Sequence, residues 1–134
     1  MRLTIWTLAI VMLACQPQKE TGLKELKEEV LAIHDEVMPK IGELRRVRKD
    51  LMKRADSVSA SDSTISKSLI ETANELGEAS ESMMQWMREY EPDFQGTDEE
   101  VAAYLELQKE AIIEVKYQME GALTKGNEKL ESPF

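Results

Sequence analysis

The chain holds one cysteine and one histidine, which narrows the chemistry open to it. Cys15 closes the run Met12-Leu13-Ala14-Cys15, where a small residue precedes a thiol able to carry a covalent lipid once the segment before it is cleaved. His34 and Asp35 are the nearest approach to an acid/base pair. Adjacent residues face about 100° apart on a helix, so no mutual hydrogen bond is expected. With no second histidine and no nucleophile placed nearby, no catalytic residue is assigned, and the chain does not read as an enzyme. A surface histidine paired with Glu89, or stacked with Arg88, is the plainer reading. Met83 and Met87 share a helical face, and antiparallel packing brings Met38 and His34 level with them. Thioether and imidazole donors suit Cu(I). A methionine stripe at helical spacing is more often packing, and methionine also fills irregular gaps beside a proline. The copper set His34, Met38, Met83 and Met87 is therefore an alternative, and no metal is assigned. Trp86, Tyr90, Phe94 and Tyr104 form an aromatic group. It either plugs the end of a core or offers a small apolar surface to a partner or to the bilayer interface.

Arg2 precedes an apolar run from Leu3 to Ala14, too short to span a bilayer but of the length of a secretory h-region. Residues 1–14 read as a signal peptide that is removed, and Met12 to Cys15 resembles a bacterial lipobox with methionine where leucine is usual. Residues 15–22 are polar, contain Pro17 and Gly22, and read as a tether from a lipidated Cys15 (palmitate among its acyl chains). Beyond that lipid no cofactor is expected. Gln16, rather than Asp, after the cysteine points to the outer membrane, with the chain facing the periplasm. Removing residues 1–14 takes away Arg2 and no acid, leaving 16 basic against 26 acidic side chains, a formal charge of −10. That balance argues against nucleic acid and against polybasic attachment to anionic lipid. Without a second cysteine there is neither a disulfide framework nor a thiolate metal cage. No small-molecule substrate is identified.

The remaining residues suit helices: charges are abundant, aromatics are 5% of the chain, and aliphatic residues recur every three or four positions. Leu23, Val30, Val37, Leu44, Leu51 and Val58 hold one heptad position, predicting a long first helix from about residue 21 to 59. The companion position is apolar at Leu26, Ile33 and Val47 but charged at Lys40 and Arg54. A globular bundle therefore fits better than a two-stranded coiled coil. Pro39 removes an intrahelical hydrogen bond and predicts a bend between Asp35 and Gly42. Ser61, Asp62 and Ser63 are N-cap candidates for a second helix running to about Tyr90. Its core face reads Ile65, Leu69, Ala73, Leu76, Ser80, Met83, Met87 and Tyr90. Thr97 to Glu100 is a capping box opening a third helix, with Val101, Tyr104, Leu105, Gln108, Ile112, Val115, Met119, Ala122 and Leu130 inward and fraying near Gly121 and Gly126. The expectation is an all-α fold: an antiparallel three-helix bundle over 23–131 with a long first helix, and a tail at 132–134.

Short turns imply that facing residues of the first two helices have numbers summing to about 122, and of the last two about 190. On that register the basic stretch from Lys40 to Arg54 faces Glu71, Glu75, Glu78 and Glu81. The third helix then begins beside residue 30, leaving residues 16–28 as an unpaired stalk.

His34-Asp-Glu-Val-Met-Pro-Lys-Ile-Gly-Glu-Leu44 and Met83-Met-Gln-Trp-Met87 resemble a family of small helical lipoproteins of Bacteroidota labelled "viral A-type inclusion protein". The resemblance implies envelope location and a helical fold, and it carries no catalytic or binding residues. Taken together, the readings point to a lipid-anchored structural or interaction module whose partner is an envelope protein, peptidoglycan or a second copy. The alternative is a periplasmic copper-responsive or chaperone-like protein.

Overall fold

A computed structural model describes residues 17–133. Residues 1–14, Cys15, Gln16 and Phe134 lie outside it, and the signal-peptide and lipidation readings with them. Among the described residues all regular structure is helical: α1 Pro17–Val37, α2 Lys40–Val58, α3 Ser63–Glu89 and α4 Asp98–Glu131. The chain forms a helical bundle. α1 and α2 together are the long first helix, interrupted at Met38-Pro39. Pro39 has no amide hydrogen to donate to Asp35. The Met38 amide closes α1 on the His34 carbonyl at 2.8 Å, and the Ile41 amide reaches back only to the Met38 carbonyl at 3.2 Å. Helix begins at Pro17, inside the segment read as a tether. Proline is well placed there because its missing donor is one that a first helical turn leaves unpaired.

The predicted caps are in place. Asp62 accepts from the amides of Thr64 (2.9 Å) and Ile65 (3.0 Å) to start α3. At α4 the Thr97 hydroxyl accepts from the Glu100 amide (3.3 Å), while the Glu100 carboxylate accepts from the Thr97 amide (2.8 Å). Each such cap is worth about 1 kcal/mol.

The core runs along all the helices. Val30, Val37, Leu44, Val47, Leu51 and Ala55 from α1 and α2 meet Leu69, Ala73, Leu76, Ala79 and Met83 from α3 and Ile112, Val115 and Met119 from α4. On α3 the buried face is rotated slightly from the expected one. Thr72, Ala79 and Trp86 are buried, Ser80 is half-buried and Met87 is 38% exposed. The α2/α3 level matches the sequence register, with the Arg48 side chain lying over Gly77.

The α3/α4 level does not match. Tyr90 stacks on Tyr104 and Glu75 pairs with Lys125, so facing numbers sum to 194 near the turn and 200 further down. α4 therefore begins about 10 Å beyond the end of α3, a distance residues 90–97 span easily at about 3.3 Å each. This overhang shortens the stalk predicted over 16–28, residues 20–22 remaining exposed. Residues 23–28 lie beside the α3/α4 connection: Lys27 donates to the Pro92 carbonyl, and Leu23 and Leu26 are half-buried.

α4 follows α1 and α2 at a constant offset. Glu29 meets Lys109 at 2.5 Å, Glu36 meets Lys116 at 2.6 Å and Lys40 meets Glu120 at 2.5 Å, each partner 80 positions on. The expected charge facing between α2 and α3 is corrected accordingly. Glu75 pairs with Lys125 of α4 and Glu81 with Arg88 of its own helix. Lys40 and Arg54, the charged heptad positions, both turn to α4. Arg54 donates to the carbonyls of Lys129 (3.1 Å), Leu130 and Ser132 (2.5 Å), satisfying acceptors that a helix C-terminus leaves open. α4 accordingly does not fray near Gly121 and Gly126. Gly126 is buried where α4 crosses Val47 and Leu76.

Candidate functional site: the aromatic end

The end of the bundle nearest Pro17 gathers Trp86, Tyr90, Phe94 and Tyr104 because three separate elements bring them there. Trp86 and Tyr90 come from the last turn of α3, Phe94 from the connection, and Tyr104 from the second turn of α4. The α4 overhang places Tyr104 beside Tyr90 and Phe94, instead of beside Trp86 as the sequence register implied. The rings form a continuous stack. His34 lies 5.8 Å from Trp86, Trp86 lies 4.9 Å from Tyr90, Tyr90 lies 6.3 Å from Tyr104, and Tyr104 lies 4.3 Å from Phe94, with interplanar angles of 29°, 17°, 20° and 8°. Such contacts add about 0.5–1.5 kcal/mol each beyond area burial.

Burial falls along the stack. Trp86 is 6% exposed, while Tyr90, Phe94 and Tyr104 are half-buried. Trp86 is thus core, and the surface the group offers is that of Phe94 and Tyr104. The Tyr104 hydroxyl accepts from the Glu91 amide at 2.6 Å and pins the connection to α4. Trp86 Nε1 and the Tyr90 hydroxyl are buried without a hydrogen-bond partner among the described residues. Burial pushes the Tyr90 phenol above its ordinary value, and the neighbouring Tyr104 and Asp93 push the same way, because each disfavours the phenolate.

Beside Phe94 and Tyr104 is an open groove of about 340 Å³, walled by Leu23, Lys24 and Lys27 of α1, Leu105 of α4 and the connection from Glu91 to Gln95. Leu23, Lys24, Lys27 and Leu105 were not sequence candidates for a site. The signal that could have found them is the length of the connection, eight residues between Glu89 and Asp98, too long for a tight hairpin and long enough to fold back over the end of α1. Lys27 sits 3.8 Å from Asp93 at the rim.

His34 does form the hydrogen bond to Asp35 that its sequence position argued against, with Nδ1 2.9 Å from the carboxylate oxygen. Its ring is fixed face-on by Trp86, neither Glu89 nor Arg88 being its partner, and the short Asp35 side chain leans along the helix surface to meet it. The methionines of the copper set differ in exposure. Met83 is fully buried, Met38 packs against the core and Met87 is exposed. Among the described residues no three His, Cys, Asp or Glu side chains converge as a metal cage.

Fold and site together define a helical bundle with an aromatic groove at one end. No family model, curated protein or solved structure matches the chain.

Proposed function

We propose that the chain is a lipid-anchored protein of the bacterial envelope, an antiparallel three-helix bundle that acts by binding rather than by catalysis. The lipid is held by Cys15 after removal of residues 1–14, the chain faces the periplasm from the outer membrane, and the contact surface is the groove beside Phe94 and Tyr104. The observation that carries the reading is the position of that groove. It opens beside Leu23, Lys24 and Lys27 in the second and third turns of α1, eight residues and more after Cys15, at the end of the bundle that an anchored chain turns toward the membrane. The apolar run Leu3 to Ala14 and the small residue before Cys15 support the anchor. Among the described residues no helix is long and apolar enough to cross a membrane, so attachment in this reading falls to the lipid. The resemblance of His34 to Leu44 and Met83 to Met87 to helical envelope lipoproteins points the same way. Two aromatic walls suit an apolar side chain.

Anchoring is tested in the native host with a labelled fatty acid. Wild type incorporates label and partitions with membranes, whereas Cys15→Ser takes up none and is recovered unprocessed or soluble. Equal labelling of both removes the lipoprotein reading.

A further inference from the structure

We propose that copies of this chain bind one another head to tail, the basic outer face of α2 in one copy docking on the acidic outer face of α4 in the next. This deepens the binding reading by naming a partner. It uses faces away from the aromatic groove and is independent of lipidation, so the fatty-acid experiment and the one below fail separately.

Two charge rows support it. Arg45, Lys49 and Lys53 lie at i, i+4 and i+8 along α2, all exposed, with no ion pair or hydrogen bond among the described residues; Arg48, also exposed, extends the row toward α3. Glu106, Glu110 and Glu114 have the same spacing on α4, are likewise exposed, and form no ion pair or hydrogen bond among the described residues, although Glu106 lies close enough to Lys109 to feel its charge. Elsewhere charges are matched between helices at Glu29/Lys109, Glu36/Lys116, Lys40/Glu120 and Glu75/Lys125. Two unmatched rows of opposite sign and equal pitch therefore stand out.

At 1.5 Å rise per residue each row places charges about 6 Å apart, so three on one match three on the other without a gap. Rows of this spacing are the ridges that interdigitate when helices cross at about −50°. The acidic face also carries the most exposed large apolar side chains, Leu107 at 64% and Tyr117 at 68%. They flank the glutamates and give the contact an apolar component that ion pairs alone lack. The two rows face outward from different helices of the bundle. The contact proposed is heterologous, so a pair of copies keeps one free acidic face on one member and one free basic face on the other, and growth continues from both.

The test is sedimentation of residues 16–134, which include the whole bundle, after a cooperative helical melt has been verified. At about 50 mM salt the average mass should rise with concentration beyond that of a dimer. At about 500 mM salt association should weaken roughly tenfold or more, because exposed pairs are screened. Arg45→Gln/Lys49→Gln/Lys53→Gln and Glu106→Gln/Glu110→Gln/Glu114→Gln should each be monomeric alone. Mixed in equal amounts they should give a one-to-one dimer that grows no further, since each retains the face the other lost. A wild type that stays monomeric at low salt, variants that associate as wild type does, or a mixture that remains monomeric would each overturn the proposal.

Discussion

Replacing Gly126 and Gly121 by alanine should have opposite effects, although both are helix-interior glycines five residues apart on α4. Alanine favours helix over glycine by about 0.8–1.0 kcal/mol, so an open site gains close to that amount. A Cβ at Gly121 meets nothing within 4 Å, and Gly121→Ala should stabilise by about 0.5–1 kcal/mol. At Gly126 the added carbon would lie 2.7 Å from Val47 Cγ1 and 3.0 Å from Leu76 Cδ1, both from fully buried side chains with little room to turn. Overpacking of this kind costs about 1–3 kcal/mol and outweighs the propensity gain, so Gly126→Ala should destabilise by about 1–2 kcal/mol. Urea melts followed by circular dichroism resolve the difference, provided m is unchanged. Removing the obstructing methyl groups supplies an internal control. In Val47→Ala/Gly126→Ala the new methyl group occupies space vacated by Val47, and the double variant should be more stable than the sum of the singles by about 1 kcal/mol. If Gly126→Ala stabilises as Gly121→Ala does, α4 does not press on α2 and α3 at this level, and the close approach described at Val47 and Leu76 is wrong.

The aromatic end gives two further tests. Trp86→Ala should cost about 3–5 kcal/mol in a thermal or urea melt, whereas Phe94→Ala, losing one stack on Tyr104 and half-buried area, should cost about 1–2 kcal/mol; equal losses would contradict the gradient of burial along the stack. Tyr90→Phe deletes a buried hydroxyl that has no partner among the described residues and should leave stability at neutral pH unchanged or raised by about 1 kcal/mol. Because the folded-state phenol is raised above its ordinary value of 10.0, its contribution is full below that pH and is lost as pH rises through the folded value. Lys109 and Lys116 are raised by their hydrogen bonds to Glu29 and Glu36 and follow the same sign above 10.5, so wild-type melting should fall in alkali, the surface lysines adding little. Tyr90→Phe should fall less; identical pH profiles would show that the phenol is not desolvated.

Element types, and the starts of α3 and α4, were legible in the sequence because they rest on local chemistry, whereas α1 begins at Pro17 in a segment read as a tether. Thr97 and Glu100 cap α4 as their spacing required, Asp62 caps α3, and Pro39 interrupts the first helix where its missing donor falls. The α2/α3 level was also readable, since a connection of four residues leaves little freedom. The α3/α4 level was not. The connection after Glu89 is held by the Glu91 amide on the Tyr104 hydroxyl and by Phe94 against Tyr104, contacts that no periodicity encodes. From that one shift follow the covering of residues 23–28, the pairing of Tyr104 with Tyr90 and the groove beside Leu23. Lys40 and Arg54 carried a signal whose meaning needed the structure. As breaks in an apolar stripe they argued against a two-stranded coil, and they prove to be the side chains that grip α4. Gly126 misled for a related reason: glycine within a helix reads as weakness until the neighbouring helices show why a side chain is excluded.

The three pairs at a fixed offset of 80 bear on how the chain carries load. A pull on residue 17 along the bundle axis, directed away from the protein, slides α1 against α4, and the rungs at Glu29, Glu36 and Lys40 are then strained together. The last rung lies beyond Pro39, so tension crosses the interruption through α4 and not only through the weakened turn at Met38. A pull perpendicular to the axis peels α1 away one rung at a time, beginning at Lys27 and Glu29. Resistance to force should therefore be anisotropic, with rupture along the axis needing the larger force and the slower unfolding rate. A protein built this way holds firm when drawn straight out and yields when levered sideways.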